Sequence, residues 1–494
     1  MTNLTINRLR TGVKGLDEVL GGGLPEMSFN LIAGEPGCGK TTLAHQMMFA
    51  MVGPGRSAIY FTVLGEPPLK MLRYQQQFSF FDEEAVNRSV RFVSLAREAL
   101  AGDLQKVLAR IVEEVTTHSP AFVFVDSFRS VILSSDRAGD ATGNHLQQFV
   151  QELGVQMASW QATTFLIGEY HLDDEANPVS TVADGIVWLR QSVKRNSMVR
   201  KIEVMKMRGQ HTLPGLHTFR MSGDGVEVFP PARPPMAAAA GFAAPAELHR
   251  LSVGVPVLDE MLGGGLPDGY SLLVAGPSGS GKSILAAAFL AEGARHGETG
   301  VLASFERGPA RPRVPVLAEL IRKGSVGVVQ HQALDLSIDE VLLLLLRESR
   351  RIGAKRVVID SLSGFELSVA PTFREDFRES LSRMVAALTT EGLTVLMTSE
   401  LEDRYNDLRF SPYGTAFLTD AIIVQRYIEI AGRLRRLLAV VKVRGSAHSD
   451  QLRLYAIDAA GLHVGDPLDD FVGLLGGRPS PAALRQLPLA QSSP

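Results

Sequence analysis

The chain is written twice. The stretch RLRTGVKGLDEVLGGGLPEMSFNLIAGEPGCGKT, from Arg8, and the stretch RLSVGVPVLDEMLGGGLPDGYSLLVAGPSGSGKS, from Arg250, align without a gap at an offset of 242 residues. Further along, FVFVDS (residues 122–127) answers RVVIDS (residues 356–361) at an offset of 234, and VMKMRG (residues 204–209) answers VVKVRG (residues 440–445) at 236. A period this long is far outside the roughly 20–50 residues of solenoid repeats, so the repeated unit is a whole domain. A chain of 494 residues holds two such domains of ordinary size.

The joint between the copies is legible as well. Residues 230–246, PPARPPMAAAAGFAAPA, carry prolines, alanines and a single charge with no amphipathic period, and are predicted to form an extended linker. The domains are therefore expected over 1–229 and 247–464. Residues 465–494, mixed in Pro, Gly, Ser and Leu, are expected to be a mobile tail. Within each domain, short apolar runs alternate with helical patterns: SFNLIA, AIYFTV, VRFVSL, AFVFVD and TTFLIG in the first, YSLLVA, GVLASF, VGVVQH, RVVIDS and TVLMTS in the second. Near-continuous apolar strands separated by helices predict an α/β fold, a mostly parallel sheet covered on both faces. Closely spaced runs at the end of each half, such as GIVWLR and KIEVMKM, predict an antiparallel extension.

Composition narrows the functional classes. Apolar residues make up 45% and charged residues 21%, ordinary for a packed chain, and the net charge of −3 argues against a protein that coats nucleic acid or membrane electrostatically, a local basic stripe aside. The single cysteine excludes an internal disulfide and fits a reducing cytoplasm. The start, MTNLTINRLR, lacks a signal-peptide layout, and the apolar run at residues 341–346 is far short of the ~20 residues that span a bilayer. A cytoplasmic location is the expectation.

Two segments carry the chemistry. GEPGCGKT (residues 34–41) and GPSGSGKS (residues 276–283) both satisfy G-x-x-x-x-G-K-[ST] between an apolar strand and an Ala/Leu-rich helix. Glycines let backbone N–H groups curl round a polyphosphate, and the helix that follows turns its positive end toward it. Gly34, Gly37, Cys38, Gly39, Lys40, Thr41 and Thr42, and Gly276, Ser278, Gly279, Ser280, Gly281, Lys282 and Ser283, are thus predicted to bind ATP. Lys40 and Lys282 are expected to reach the β and γ phosphates, and the Thr41 and Ser283 hydroxyls to ligate Mg2+ together with Asp126 and Asp360, the acids that end apolar strands downstream. Hydrolysis also needs a carboxylate to activate water. The strand after the P-loop helix supplies Glu306 in VLASFERGP, whereas IYFTVLGEPP offers Gly65 at the matching place and Glu66 one residue later. Glu306 is the predicted base; Glu66 is the candidate in the first half, with a solvated loop acid as the alternative. Glu169 and Glu400, each ending the next strand, are candidate γ-phosphate sensors. Cys38 is read as a small residue that fits the loop rather than as a redox group. The histidines His171, His211 and His217 show no metal-ligand spacing and are expected to be surface or packing residues, and RLRR (residues 433–436) is expected to be a solvated hairpin tip.

Taken together, the doubled GGGLP, the P-loops, the strand-end Glu, the Asp-Ser pairs and the K-x-R-G hairpins resemble the KaiC family, circadian clock ATPases and autokinases of the RecA-like superfamily. The resemblance covers about residues 8–458. It implies two tandem RecA-like P-loop domains, a homohexamer with ATP and Mg2+ between neighbouring copies, and protein partners of the KaiB or response-regulator type. It further implies that Lys206 and Arg208, and Lys442 and Arg444, reach the next copy's nucleotide; a guanidinium suits the spreading γ-phosphate charge. The chain departs from the family at the clock phosphorylation site. Aligned on Thr419 and Asp420, the Ser-Thr pair of the family falls on Ala416 and Phe417, neither of which has a hydroxyl; Ser411, Thr415 and Thr419 are the nearby ones, and Ser180-Thr181 is the matching place in the first half. A slow, switch-like Mg-dependent ATPase is the leading expectation, with serine/threonine autokinase activity as an addition to it. A DNA-dependent recombinase or helicase and a nucleotide-gated scaffold with little catalysis are the alternatives.

Overall fold

The computed structural model describes residues 6–63, 68–100, 104–127, 144–170, 178–194, 197–231, 249–305, 314–330, 336–374, 377–401, 418–468, 471–472 and 480–481. The chain divides into two compact units, Met1–Pro231 and Ala232–Pro494.

Each unit is built on a nine-stranded sheet, and the strand order is the same in both. In the first unit it runs Gly225–Phe229, His217–Ser222, Ser197–Met207, Gly185–Lys194, Phe29–Gly34, Thr163–Glu169, Phe122–Asp126, Ala58–Thr62, Val90–Ser94. The strands from Gly185–Lys194 to Val90–Ser94 are parallel, and the three at the other edge are antiparallel. The second unit repeats this from Val326–Gln330, through Ser271–Gly276 in the middle, to Gly461–Pro467 at the antiparallel edge. The apolar runs read from the sequence are these strands, and the closely spaced runs at the end of each half are the antiparallel extension.

Alternation along the strands builds a core on each face of the sheet. In the first unit Ile32, Tyr60, Phe124 and Ile167 pack with Leu43, Ala44, Met47 and Met48 of the helix Lys40–Met51. Leu31, Ala33, Phe61, Val123 and Leu166 point the other way, toward Val107, Ile111, Phe149 and Leu153 of the helices Leu104–His118 and Asn144–Ser159. The central strand Phe29–Gly34 is buried at every position, which fixes the point from which the P-loop springs.

The copies differ where a charge is buried. Arg356, at the start of the strand Arg356–Asp360, is 1% exposed. Its Nε donates to Glu298 Oε2 at 2.7 Å, its Nη1 to the carbonyls of Ser252 and Phe289 at 2.8 and 2.9 Å, and its guanidinium lies 4.6 Å from the Phe289 ring centroid. The matching strand position in the first unit is Phe122, and there Arg56 lies 4.9 Å over the ring. Both units thus carry an arginine–phenylalanine cation–π contact, built from different elements: a turn and a strand in the first, a strand and the P-loop helix in the second.

At the carboxyl end the last sheet strand runs to Pro467, three residues beyond the expected boundary at 464, and Leu468 and Phe471 pack against Ile428 and Leu437. Residues 471–472 and 480–481 pair as a short antiparallel ribbon, so part of the expected tail is structured. Of the expected linker, only residues 230 and 231 are among the described residues.

Replacing Arg356 by Leu leaves two buried carbonyls and Glu298 without their donor. We expect a loss of about 3 kcal/mol, read by calorimetry as a lower transition for the second unit with that of the first unchanged.

Candidate functional site

Both P-loops leave the carboxyl end of the central strand and enter a helix, Lys40–Met51 in the first unit and Lys282–Arg295 in the second. The loops crest through positive φ at Gly37 (75°) and Gly39 (107°), and at Gly279 (76°) and Gly281 (100°), which only glycine adopts without cost. A Cβ on Gly34 would lie 2.1 Å from the Leu189 carbonyl oxygen, so the loop passes against a neighbouring strand with no room for a side chain. The result is a concave run of backbone N–H groups at a helix amino end, the arrangement that binds polyphosphate.

The lysines lie over the loops in the same way. Lys40 Nζ donates to the carbonyls of Gly34 and Glu35 at 3.0 and 2.7 Å; Lys282 Nζ donates to those of Gly276 and Pro277 at 2.7 and 2.8 Å. Burial pushes the Lys282 pKa below the ordinary amine value, against the charges of Glu400 and Asp360. Cys38 is fully buried within the first loop; burial raises its thiol pKa, although its Sγ lies 3.8 Å from Lys40 Nζ.

The acids predicted to hold metal end their strands beside the loops. Asp126 Oδ2 accepts the Thr41 hydroxyl at 2.8 Å and the Tyr60 hydroxyl at 2.7 Å, and burial raises its pKa against both hydroxyls and Lys40. Asp360 Oδ1 accepts the Thr398 hydroxyl at 2.5 Å. The peptide bond after each of these acids is cis. In the first unit the Thr41 hydroxyl and the Asp126 carboxylate converge to hydrogen-bond distance, a hard-oxygen donor pair of the kind that suits Mg2+. Glu169 and Glu400 end the strands between these acids and the P-loop strand, in register with Gly34 and Gly276.

Beside each loop stands a cross-strand ladder that the sequence reading missed. Gln191, Arg200 and Phe219 are paired in the first unit, and Tyr427, Arg436 and Tyr455 in the second. Gln191 Nε2 donates to the Pro36 carbonyl at 3.4 Å; Tyr427 OH donates to the Ser278 carbonyl at 3.5 Å and Tyr455 OH to that of Ser280 at 2.5 Å. The Ser280 hydroxyl donates to Gln425 Oε1 at 2.9 Å. The Nε atoms of Arg200 and Arg436 are buried with no hydrogen-bond partner among the described residues. The expectation of a solvated RLRR tip holds for Arg433, Leu434 and Arg435, which are exposed just after the turn at Ala431-Gly432, and is corrected at Arg436, which is half-buried and lies 5.7 Å from the Tyr427 ring. The signal was in the sequence, since the offset of 236 that aligns the hairpins also pairs Arg200 with Arg436.

The hairpin cations lie at the opposite end of the sheet. Lys206 Nζ donates to the Thr181 carbonyl at 3.5 Å, and Arg208 pairs with Asp184 at 3.3 Å; Lys442 Nζ donates to the Thr419 carbonyl at 2.6 Å, and Arg444 pairs with Asp420 at 3.1 Å. Burial lowers the Lys206 and Lys442 pKa values, each helped by the neighbouring arginine. Glu66 and Glu306 lie outside the described residues; the strands leading to them end at Thr62 and Ser304, in register with Asp126 and Asp360. Ser411, Thr415, Ala416, Phe417 and His171 lie outside them too. Thr419 is wholly buried, His211 is exposed, and His217 is buried with its Nε2 3.2 Å from the Leu213 carbonyl.

Each unit is therefore a P-loop nucleotide-binding domain on a mostly parallel sheet, and the chain carries two in tandem. Residues 9–233 and 251–469 match the ATPase family described as KaiC, and the chain belongs to that family. Its domains are RecA-like. It is similar to the circadian clock oscillator protein KaiC of Rippkaea orientalis, at 26% identity over 97% of this chain and 92% of that protein. Similarity of the same order links it to KaiC of a Picosynechococcus species (26%, covering 97% and 93%) and to KaiC 1 of a Synechocystis species (25%, covering 96% and 92%). Among the described residues no helix is long and apolar enough to cross a membrane.

One buried group makes the first site sensitive to acid. His45, on the P-loop helix, is 0% exposed, and burial lowers its pKa to about 4. Unfolding restores an ordinary value near 6.5, so the unfolded state binds the extra proton and stability falls as pH drops from about 6.5 toward 4. The loss reaches about 3 kcal/mol for the first unit. His45→Leu should flatten that profile in chemical denaturation followed across pH.

Proposed function

We propose that the chain is a slow Mg2+-dependent ATPase that works as a ring of identical copies, a homohexamer, with ATP between neighbours and its nucleotide state controlling a protein partner. The register of the sheet is the observation that carries this. Gly34 pairs with Leu189, while Arg208 meets Asp184 at the far end of that same strand, five residues back, which is about 16 Å of extended chain. The second unit repeats the geometry, with Ala275 paired with Val424 and Arg444 bonded to Asp420. An arginine side chain does not bridge that gap, so Lys206, Arg208, Lys442 and Arg444 serve a nucleotide held by another copy. There the guanidinium neutralises charge on the γ-phosphoryl oxygens.

Within one copy the parts divide as follows. The loop N–H groups and Lys40 or Lys282 bind the β and γ phosphates, and the lysine exchanges its carbonyl partners for phosphate oxygens. Thr41 with Asp126, and Ser283 with Asp360, are the residues that would hold Mg2+, which when bound would supply positive charge to the phosphate oxygens. Glu306 activates the attacking water in the second unit. The expected match of Glu306 to Gly65 is corrected by the register: Thr62 and Ser304 hold equivalent places opposite Asp126 and Asp360, so counting on from them Glu306 answers Leu64 and Glu66 comes two residues late. Hydrolysis is therefore strongest in the second unit, and the first holds nucleotide longer. A clock-type phosphorylation cycle is not part of the proposal, because Ala416 and Phe417 stand at the family's phosphoacceptors. The KaiC relatives are clock proteins, and a KaiB-like or response-regulator-like partner is the class that fits a nucleotide-gated ring. A net charge of −3 speaks against a DNA-driven motor.

Glu306→Gln should lower turnover at least about 100-fold while ATP binding is kept; unchanged turnover removes Glu306 from the mechanism. Arg444→Ala should be equally inactive alone. Mixing the two variants recovers turnover, because a neighbour pair then exists in which one copy brings Glu306 and the other Arg444. A mixture that stays inactive contradicts action between copies.

A further inference from the structure

The two Walker B acids are held by donors from opposite sides. Asp126 is flanked by the strand Ala58–Thr62, which brings Tyr60, and by the strand Thr163–Glu169, on which its paired residue is Ile167. The second unit reverses this. Leu302 takes the place of Tyr60, since Ser304 pairs with Asp360 as Thr62 pairs with Asp126. Thr398 takes the place of Ile167, since Met397 pairs with Ile359 one residue earlier. Each acid therefore has one neighbouring strand that donates a hydroxyl and one that is apolar at that position.

Tyr60 is held more tightly than a lone hydroxyl requires. It is 0% exposed, its ring stacks on His45 at 4.5 Å and 12°, and it lies 5.7 Å from Phe124 at 14° and 5.6 Å from Phe92. A ring fixed on three sides leaves its hydroxyl one place, against Asp126 Oδ2. The same oxygen accepts the hydroxyl of Thr41, the residue assigned above to the metal. With Thr41 given over to a metal, the phenol would remain as the donor that keeps the carboxylate from rotating, and outer partners of this kind set metal affinity.

We propose that Tyr60 is the positioning residue for Mg2+ at the first nucleotide site, holding Asp126 in the orientation that meets Thr41, and that Thr398 does this for Asp360 at the second. The inference rests on the metal reading of Thr41, Asp126, Ser283 and Asp360 given above. Neither Tyr60 nor Thr398 touches the metal; each acts through its aspartate. The same metal is thus positioned from opposite strands in the two copies, and the two sites can be weakened one at a time.

The test uses the full chain with ADP and Mn2+ as the probe, free Mn2+ being read by electron paramagnetic resonance. The unsubstituted chain should retain one ion per cradle. Tyr60→Phe keeps the ring and removes the hydroxyl; it should weaken one ion about tenfold and leave the other, with metal-free ADP affinity unchanged. Thr398→Val should weaken the other ion. Adding Ile167→Thr to Tyr60→Phe supplies the donor from the strand that the second unit uses, and should restore the lost affinity. That rescue separates a lost hydroxyl from lost packing if Tyr60→Phe lowers the thermal midpoint. Unchanged Mn2+ binding in Tyr60→Phe, or no rescue by Ile167→Thr, overturns the inference alone. No retained Mn2+ in the unsubstituted chain overturns the metal reading beneath it.

Discussion

A parallel sheet has two ends, and the register of each sheet in this chain places the P-loop at one and the hairpin cations at the other. The P-loop leaves the carboxyl end of the central strand at Gly34 or Gly276, while the hairpin cations sit where the adjoining strand begins, at Asp184 or Asp420. Nothing local moves one toward the other, because the central strand is buried on both faces and a one-residue slip would send every side chain into the core on the opposite face. A cradle without its cation at one end of the sheet, and a cation without its cradle at the other, are complementary surfaces. This is why the proposed mechanism needs copies side by side.

Duplication preserved the backbone and varied the side chains around it. Glycines with positive φ, lysines on loop carbonyls and acids at strand ends recur in place. Around them the partners exchange. Arg56 over Phe122 becomes Arg356 over Phe289, Tyr60 on Asp126 becomes Thr398 on Asp360, and Cys38 gives way to Ser280 bonded to Gln425. A close-packed interior tolerates such changes when an added group meets a compensating one nearby. The two nucleotide sites are thus alike in what they can bind and different in what supports them.

Much of this was legible in the residues. The strands follow from apolar runs between helical patterns, and the cradles from G-x-x-x-x-G-K-[ST] in context. Repetition turned each weak signal into a strong one, since an Asp such as Asp126 means little alone and more when Asp360 repeats it. What stayed hidden depends on contacts across strands. Tyr60 reads as one more aromatic in AIYFTV, and only the pairing of Thr62 with Asp126 turns it toward the acid. Arg436 sat in a charged run that looked like a tip, until the turn at Ala431-Gly432 placed it between two tyrosines. Propensity gives the strand; register decides the neighbour.

The central claim concerns assembly, and sedimentation velocity tests it directly. With Mg2+ and a non-hydrolysable ATP analogue at saturation, the purified chain should move as one species of six copies and release smaller species when the nucleotide is withdrawn. A chain that sediments as a single copy while its cradles are filled would contradict the account, because its arginines would then have no nucleotide within reach.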